Sequence, residues 1–133
     1  MEDFVKNLKN RTFIFAAETI NFCEEIYSHS PKKFICDQLA RSSGSVGSNY
    51  RAACRPKSNK DFLNKLNIVL EEADESLFWL ELIEYTNPKA DNVKLSELKK
   101  EANELISIFV KSVTTTKNSI KNSKVKRTSI NSK

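Results

Sequence analysis

The side chains of this chain that could act on a partner molecule are mostly cationic. Residues 41–65 hold six basic side chains and a single acidic one, Asp61. Lysine and arginine at this density favour contact with the phosphate groups of RNA or DNA, which position a protein without reading sequence. The candidate nucleic-acid-binding residues are Arg41, Arg51, Arg55, Lys57, Lys60, Lys65, Lys121, Lys124, Lys126 and Arg127.

Candidates for catalysis or metal binding are weaker. Glu72 and Glu75 have the spacing that places two carboxylates on one helix face to hold magnesium, but the second acidic pair of such a site is missing. His29, the single histidine, lacks the Glu-x-x-His spacing of di-iron helical bundles. Cys54 has arginine neighbours that would lower a thiol pKa, yet a small packing residue near a helix end explains it more simply. We therefore expect no enzyme, no cofactor and no metal site.

The net charge of +5 conceals an uneven distribution along the chain. Residues 1–113 carry 16 basic and 17 acidic side chains, or −1, whereas the last 20 residues carry six basic side chains and no acidic one, or +6. This last segment has only isolated apolar residues, which bury too little surface to offset the entropy of ordering. We expect residues 118–133 to be a flexible, disordered basic tail that folding does not require.

Apolar residues recur at intervals of three and four in four segments, which predicts four amphipathic helices. The helices are expected over about residues 3–28, from Ser30-Pro31 to Arg55-Pro56, from Ser58 to Asn87, and over about 92–116. Short loops between long helices predict an all-α fold, an antiparallel up-down-up-down four-helix bundle over residues 1–117. The four stripes are Phe4, Leu8, Phe15, Thr19, Phe22 and Ile26; Ile35, Leu39, Ser42, Val46, Tyr50 and Ala53; Phe62, Leu66, Val69, Ala73, Leu77, Leu80 and Ile83; and Leu95, Leu98, Ala102, Leu105 and Phe109.

Residues 42–48 contain both glycines and four serines, yet they keep the register of the second stripe, so we predict a helix rather than a linker. Ser42 falls on the core face, while Gly44 and Ser48 point nearly opposite. Small residues on two faces permit tight packing within one bundle or the approach of a second subunit, and we favour the second subunit. Outward arginines could then pair with the acidic third helix of a neighbouring copy.

The composition restricts the class of protein further. No apolar run approaches the roughly 18 residues of a membrane span, and the first residues are acidic where a signal peptide is basic. The three cysteines form no Cys-x-x-Cys pair, which favours reduced thiols. We expect a soluble cytoplasmic protein without a membrane partner.

Three sequence blocks are specific enough to suggest a family. The blocks Gln38-Leu39-x-Arg41-Ser42, Ser45-Val46-x-x-Asn49 and Trp79-Leu80-Glu81-Leu82 resemble a bacterial four-helix-bundle family. That family includes proteins encoded in intervening sequences of 23S ribosomal RNA genes, and the likeness covers about residues 10–115.

The resemblance implies an up-down bundle that assembles as a homo-oligomeric ring, with a pentamer as the expected form, and it implies no known reaction. The accessory protein of diversity-generating retroelements is distantly similar and engages nucleic acid and a reverse transcriptase through a basic surface. Other branches of the family read Asn-Ile-Ala-Glu-Gly where this chain has residues 49–53, so a site there need not be shared.

Two classes of function follow from these observations. The first is a non-enzymatic, oligomeric four-helix-bundle protein that binds the RNA or DNA backbone through a basic face. The alternative is a protein-interaction scaffold or accessory subunit with a protein partner and no nucleic-acid binding.

Overall fold

The computed structural model of the chain describes residues 2–27, 33–87 and 92–131, and within them it contains four helices and no strand. These are α1 (Glu2–Tyr27), α2 (Lys33–Ala53), α3 (Asn59–Thr86) and α4 (Asn92–Asn131). Each helix packs against the next along the chain, and α4 returns to α1. The predicted all-α four-helix bundle is confirmed.

The core is built from the predicted stripes, because residues three and four apart on a helix share one face. Every stripe residue predicted for α2 and α4 is buried, and Phe15, Phe22 and Phe109 are among its largest side chains. Burying one such side chain contributes about 1.5–3 kcal/mol. Phe4 is an exception at 54% exposure, because it lies at the start of α1, where neighbouring helices no longer cover the face.

The small-residue segment 42–48 is continuous α-helix, as predicted, and it allows α2 to approach two neighbours closely. Towards α3, the buried Ser76 hydroxyl donates to the Ser42 hydroxyl at 3.0 Å. Towards α1, a Cβ added to Gly47 would lie 3.3 Å from the Thr12 carbonyl oxygen. Close packing therefore offsets a helix-propensity cost of about 1 kcal/mol per glycine.

Helix α3 has the ends predicted for it. The Ser58 hydroxyl accepts the Asp61 backbone N–H at 3.0 Å, which caps the N-terminus, and the Asn87 N–H donates to the Ile83 carbonyl at 2.8 Å at the other end. The predicted stop signal at Pro88, the start signal at Ser30-Pro31, and His29 lie outside the described residues.

Helix α4 is longer than predicted, since it continues to Asn131 rather than ending near residue 116. The last buried side chain is that of Val113, so about 27 Å of helix, at 1.5 Å per residue, extends beyond the core. Residues after 116 include no glycine or proline, and adding a residue to an existing helix costs far less than starting one. The lack of core contacts was predicted correctly, but the helix end was inferred from it wrongly.

None of the helices, over the stretches that the structure describes, is both long and apolar enough to cross a membrane. Cys23 and Cys36 are buried and Cys54 is partly exposed, and all three are free thiols. Burial is the main reason that the pKa of Cys23 rises to about 12. A thiol in this state is not a nucleophile at neutral pH.

Candidate nucleic-acid interface

The turn between α2 and α3 presents three of the predicted cations. The Cys54 and Arg55 N–H groups still donate to carbonyls of the last turn of α2, and the chain then enters the Ser58 cap. The Lys57 N–H donates to the Asp61 carboxylate at 2.9 Å, which ties the turn to the first turn of α3. The backbone of the turn is therefore well ordered. The side chains of Arg55, Lys57 and Lys60 are exposed around it.

Lys65 lies next to this turn but is already paired within its helix. Its ammonium group donates to both oxygens of Asp61, at 2.8 and 2.9 Å. The hydrogen bond from Lys65, followed by that from Lys57, lowers the pKa of the Asp61 carboxyl. Lys65 is consequently a weaker phosphate ligand than its exposed neighbours.

Arg41 does not face the same way as Arg51 and Arg55. Its guanidinium pairs with Glu75 and donates to Glu72 at 3.1 Å, across the α2–α3 contact of the same chain. The Trp79 indole N–H donates to Glu75 at 3.0 Å, and this bond, followed by that from Arg41, lowers the pKa of Glu75. For Arg41, the expected pairing between subunits is therefore replaced by pairing within one chain.

The same network explains the Glu-x-x-Glu pair. Both carboxylates are engaged by Arg41, so they stabilise the α2–α3 contact. Across the three described stretches of the chain, no group of three or more His, Cys, Asp or Glu side chains is placed to hold a metal ion.

Arg51 lies beside an aromatic residue that the sequence analysis did not consider. It lines a groove of about 240 Å³ between α1 and α2, together with Lys9 and Phe13 of α1 and Gly44 of α2. The Phe13 side chain is 58% exposed. Arg55, two residues after the end of α2, lies outside this groove.

The predicted cations of the C-terminal segment lie on the extension of α4. Lys117, Lys121 and Lys124 follow one another at intervals of four and three, so they share one face of the helix. Lys121, Lys124 and Lys126 are exposed. The side chain of Arg127 is outside the described part of the chain.

The antiparallel topology collects most of these cations at one end of the bundle. Gly47 lies against Thr12, and Arg11 pairs with Glu101, so these contacts mark the middle of the bundle. The half that holds the α2–α3 turn, residues 2–13, 46–72 and 102–126, carries 13 basic and 6 acidic side chains, or +7. We call it the turn end. The opposite end, residues 14–27, 33–45, 73–87 and 92–101, carries 5 basic and 10 acidic side chains, or −5.

Sequence reasoning missed the contribution of α1 to the turn end. Lys6 and Lys9 belong to this half because α1 starts where α2 finishes. They line, with Phe13 and Arg51, a second depression on the same side of the bundle. The signal was available: in an antiparallel bundle the start of helix 1 lies beside the end of helix 2, so basic residues in both segments must be counted together.

The match to known proteins agrees with this architecture. Residues 7–111 match the family described as 23S rRNA-intervening sequence protein. The chain belongs to this family. The match confirms the resemblance read from the three sequence blocks, and the family is not a known enzyme family.

A solved structure of a 23S rRNA-intervening sequence relative has the same fold. It is a protein of unknown function from the S23 ribosomal protein family of Bacteroides thetaiotaomicron, with 28% sequence identity and a TM-score of 0.74. The similarity covers 80% of this chain and 97% of that one. No curated protein matches the chain. The extension of α4 lies beyond the residues matched by the family.

Proposed function

We propose that this chain is a non-enzymatic nucleic-acid-binding protein that contacts the RNA or DNA backbone with the turn end of its bundle. The observation that carries the proposal is the gathering of exposed cations from the α2–α3 turn and the α4 extension at one end. No acidic side chain lies within residues 105–133 to neutralise that extension.

The contacts within the bundle separate two groups of cations. Arg41 and Lys65 are held by carboxylates of the same chain, so using them on phosphate would first require breaking those pairs. Within the described residues, the side chains of Arg55, Lys57 and Lys60 have no such carboxylate partner. We assign the main role to these three and to the lysines of α4.

Assembly would strengthen this binding. The resemblance implies a homo-oligomeric ring, with five subunits expected, and parallel subunits in a ring would place every turn end on one rim. Each phosphate contact contributes a slope of about 0.7 to 0.9 to the fall of log K with log salt, so a ring multiplies both the affinity and its salt dependence. The proposed site is in the cytoplasm, where such nucleic acids are available.

The test compares retention of labelled RNA and DNA oligonucleotides at low and physiological salt. Arg55→Glu combined with Lys60→Glu removes two contacts, so the slope should fall by about 1.4 to 1.8 per subunit engaged, and binding at physiological salt should be lost. The matched control, Lys33→Glu with Lys100→Glu, makes the same charge change at the opposite end and should bind like the parent.

Two results would reject the proposal. One is a parent protein that retains neither nucleic acid at about 50 mM salt, a concentration at which phosphate binding is strong. The other is equal weakening by the control variant, which would show that only net charge matters. Either result would favour the alternative function, a protein-interaction scaffold.

A further inference from the structure

The groove between α1 and α2 has the shape of a receptor for a side chain. Phe13 forms one wall, and a Cβ added to Gly44 would meet no atom within 4 Å, so open space lies above that glycine. The volume of about 240 Å³ exceeds the roughly 150 Å³ of a cavity that holds a benzene ring. Lys9 and Arg51 line the groove, and no carboxylate does.

The outer face of α3 has the complementary character. Phe78 is 54% exposed and Tyr85 is 89% exposed, which is unusual for large aromatic side chains on a helix that has a buried face elsewhere. Asp74 and Glu81 lie one helical turn before and after Phe78, on the same side. No cation lines this surface. We call it the α3 ridge.

The groove and the ridge belong to different sides of the bundle. The groove lies between α1 and α2, whereas the ridge points outward from α3, which packs against α2 and α4. One molecule therefore cannot use its own ridge to fill its own groove. A contact between unlike surfaces of identical chains is heterologous, and its repetition produces a ring if the rotation closes.

We infer that the α3 ridge of one copy occupies the α1–α2 groove of the next, with Phe78 packed against Phe13 above Gly44. Asp74 and Glu81 then face Lys9 and Arg51. The inference rests on the proposed homo-oligomer and names the two surfaces that build it. The charges are complementary, and the contact covers an exposed aromatic side chain on each partner.

This assignment leaves the turn end free for nucleic acid. Arg55, Lys57 and Lys60 lie outside the groove, and the extension of α4 lies beyond the core. Arg51 changes role, from a predicted phosphate ligand to a contact between subunits.

Charge reversal tests the contact by loss and recovery of mass in light scattering. The groove variant carries Lys9→Glu and Arg51→Glu, and the ridge variant carries Asp74→Lys and Glu81→Lys. Each should fall from the oligomer to the 15.2 kDa of one chain. The chain with all four changes restores opposite charges across the contact and should regain the oligomer mass.

Three comparisons protect this result. A control with Glu24→Lys and Lys100→Glu alters exposed charges elsewhere and should keep the parent mass, while Phe78→Ala should dissociate the oligomer without changing any charge. Helical circular dichroism checks that each variant is folded. The groove and ridge variants, mixed, should associate through the native groove of one and the native ridge of the other.

The outcomes separate this inference from the proposed function. A parent that is monomeric at micromolar concentration, a groove variant of full mass, or a four-change chain that stays monomeric would overturn the inference. Nucleic-acid retention is tested independently by Arg55→Glu with Lys60→Glu, which should leave the mass unchanged. If oligonucleotide binding protected the groove while the mass stayed that of one chain, nucleic acid rather than a second copy would occupy it.

Discussion

The two glycines of α2 should respond to alanine in opposite directions, because they face different surroundings. At Gly44 an added Cβ meets nothing within 4 Å. At Gly47 it would lie 3.3 Å from the carbonyl oxygen of Thr12 and 3.8 Å from the Cα of Phe13. Both neighbours at Gly47 are backbone atoms of α1, so they can give way only if the helix itself shifts.

The expected magnitudes follow from these distances. Replacing a helical glycine with alanine gains about 1 kcal/mol of propensity, and Gly44→Ala should show that gain nearly in full. Gly47→Ala has the same gain but must also pay an overpacking cost of about 1–3 kcal/mol. We expect Gly47→Ala to range from neutral to about 2 kcal/mol less stable than the parent.

Urea unfolding followed by helical circular dichroism measures both variants. Assembly would make the midpoint depend on concentration, so the titrations should be run at two protein concentrations tenfold apart. The difference between the variants, about 1–3 kcal/mol, is the quantity to compare. If Gly47→Ala proved as stable as Gly44→Ala, the close α1–α2 approach at Gly47 would not constrain the bundle.

Three further predictions concern the α2–α3 network and the α4 extension. Arg41→Met should cost at most about 1 kcal/mol of unfolding free energy in urea, since its partners are partly exposed, and should leave oligonucleotide retention unchanged. The pKa of Glu75 lies below its ordinary value of 4.5, so its stabilisation is present above that value and is lost as pH falls through the folded-state pKa; urea titrations from pH 6 to 3 should show this, and Glu75→Gln should weaken it. Truncation after Lys117 should lower the thermal midpoint by less than the roughly 4 °C that 1 kcal/mol represents, and a larger fall would show that the extension packs on the bundle.

The stripes of the core could be predicted from the sequence because burial imposes a periodicity on residue type. Leu39, Val46 and Tyr50 are buried wherever the neighbouring helices lie, so no knowledge of the packing partners was needed. The helix through Gly44 and Gly47 was predicted for the same reason, since the stripe continued through it. Residue type alone would have indicated a linker.

Features that depend on neighbouring helices were harder to predict. A helical wheel places Arg41 on the outer half of α2, but only the packed bundle shows that its long side chain reaches Glu72 and Glu75 on α3. The end of α4 was misplaced because loss of burial removes a stabilising contact without breaking the helix. Lys9 and Phe13 were missed because their proximity to Arg51 depends on topology, which links segments about 40 residues apart.

The pattern of ion pairs gives a physical criterion for separating structural cations from binding cations. Arg11, Arg41, Lys94 and Lys99 each connect two helices through a carboxylate, and all four pairs lie in the middle of the bundle or at its opposite end. At the turn end, among the described residues, the carboxylates are too few to pair the cations that collect there. Like charges within a Debye length of about 8–10 Å repel one another, so this arrangement opposes folding. A polyanion bound at the turn end would relieve that repulsion, whereas binding at the opposite end would add to an existing excess of negative charge.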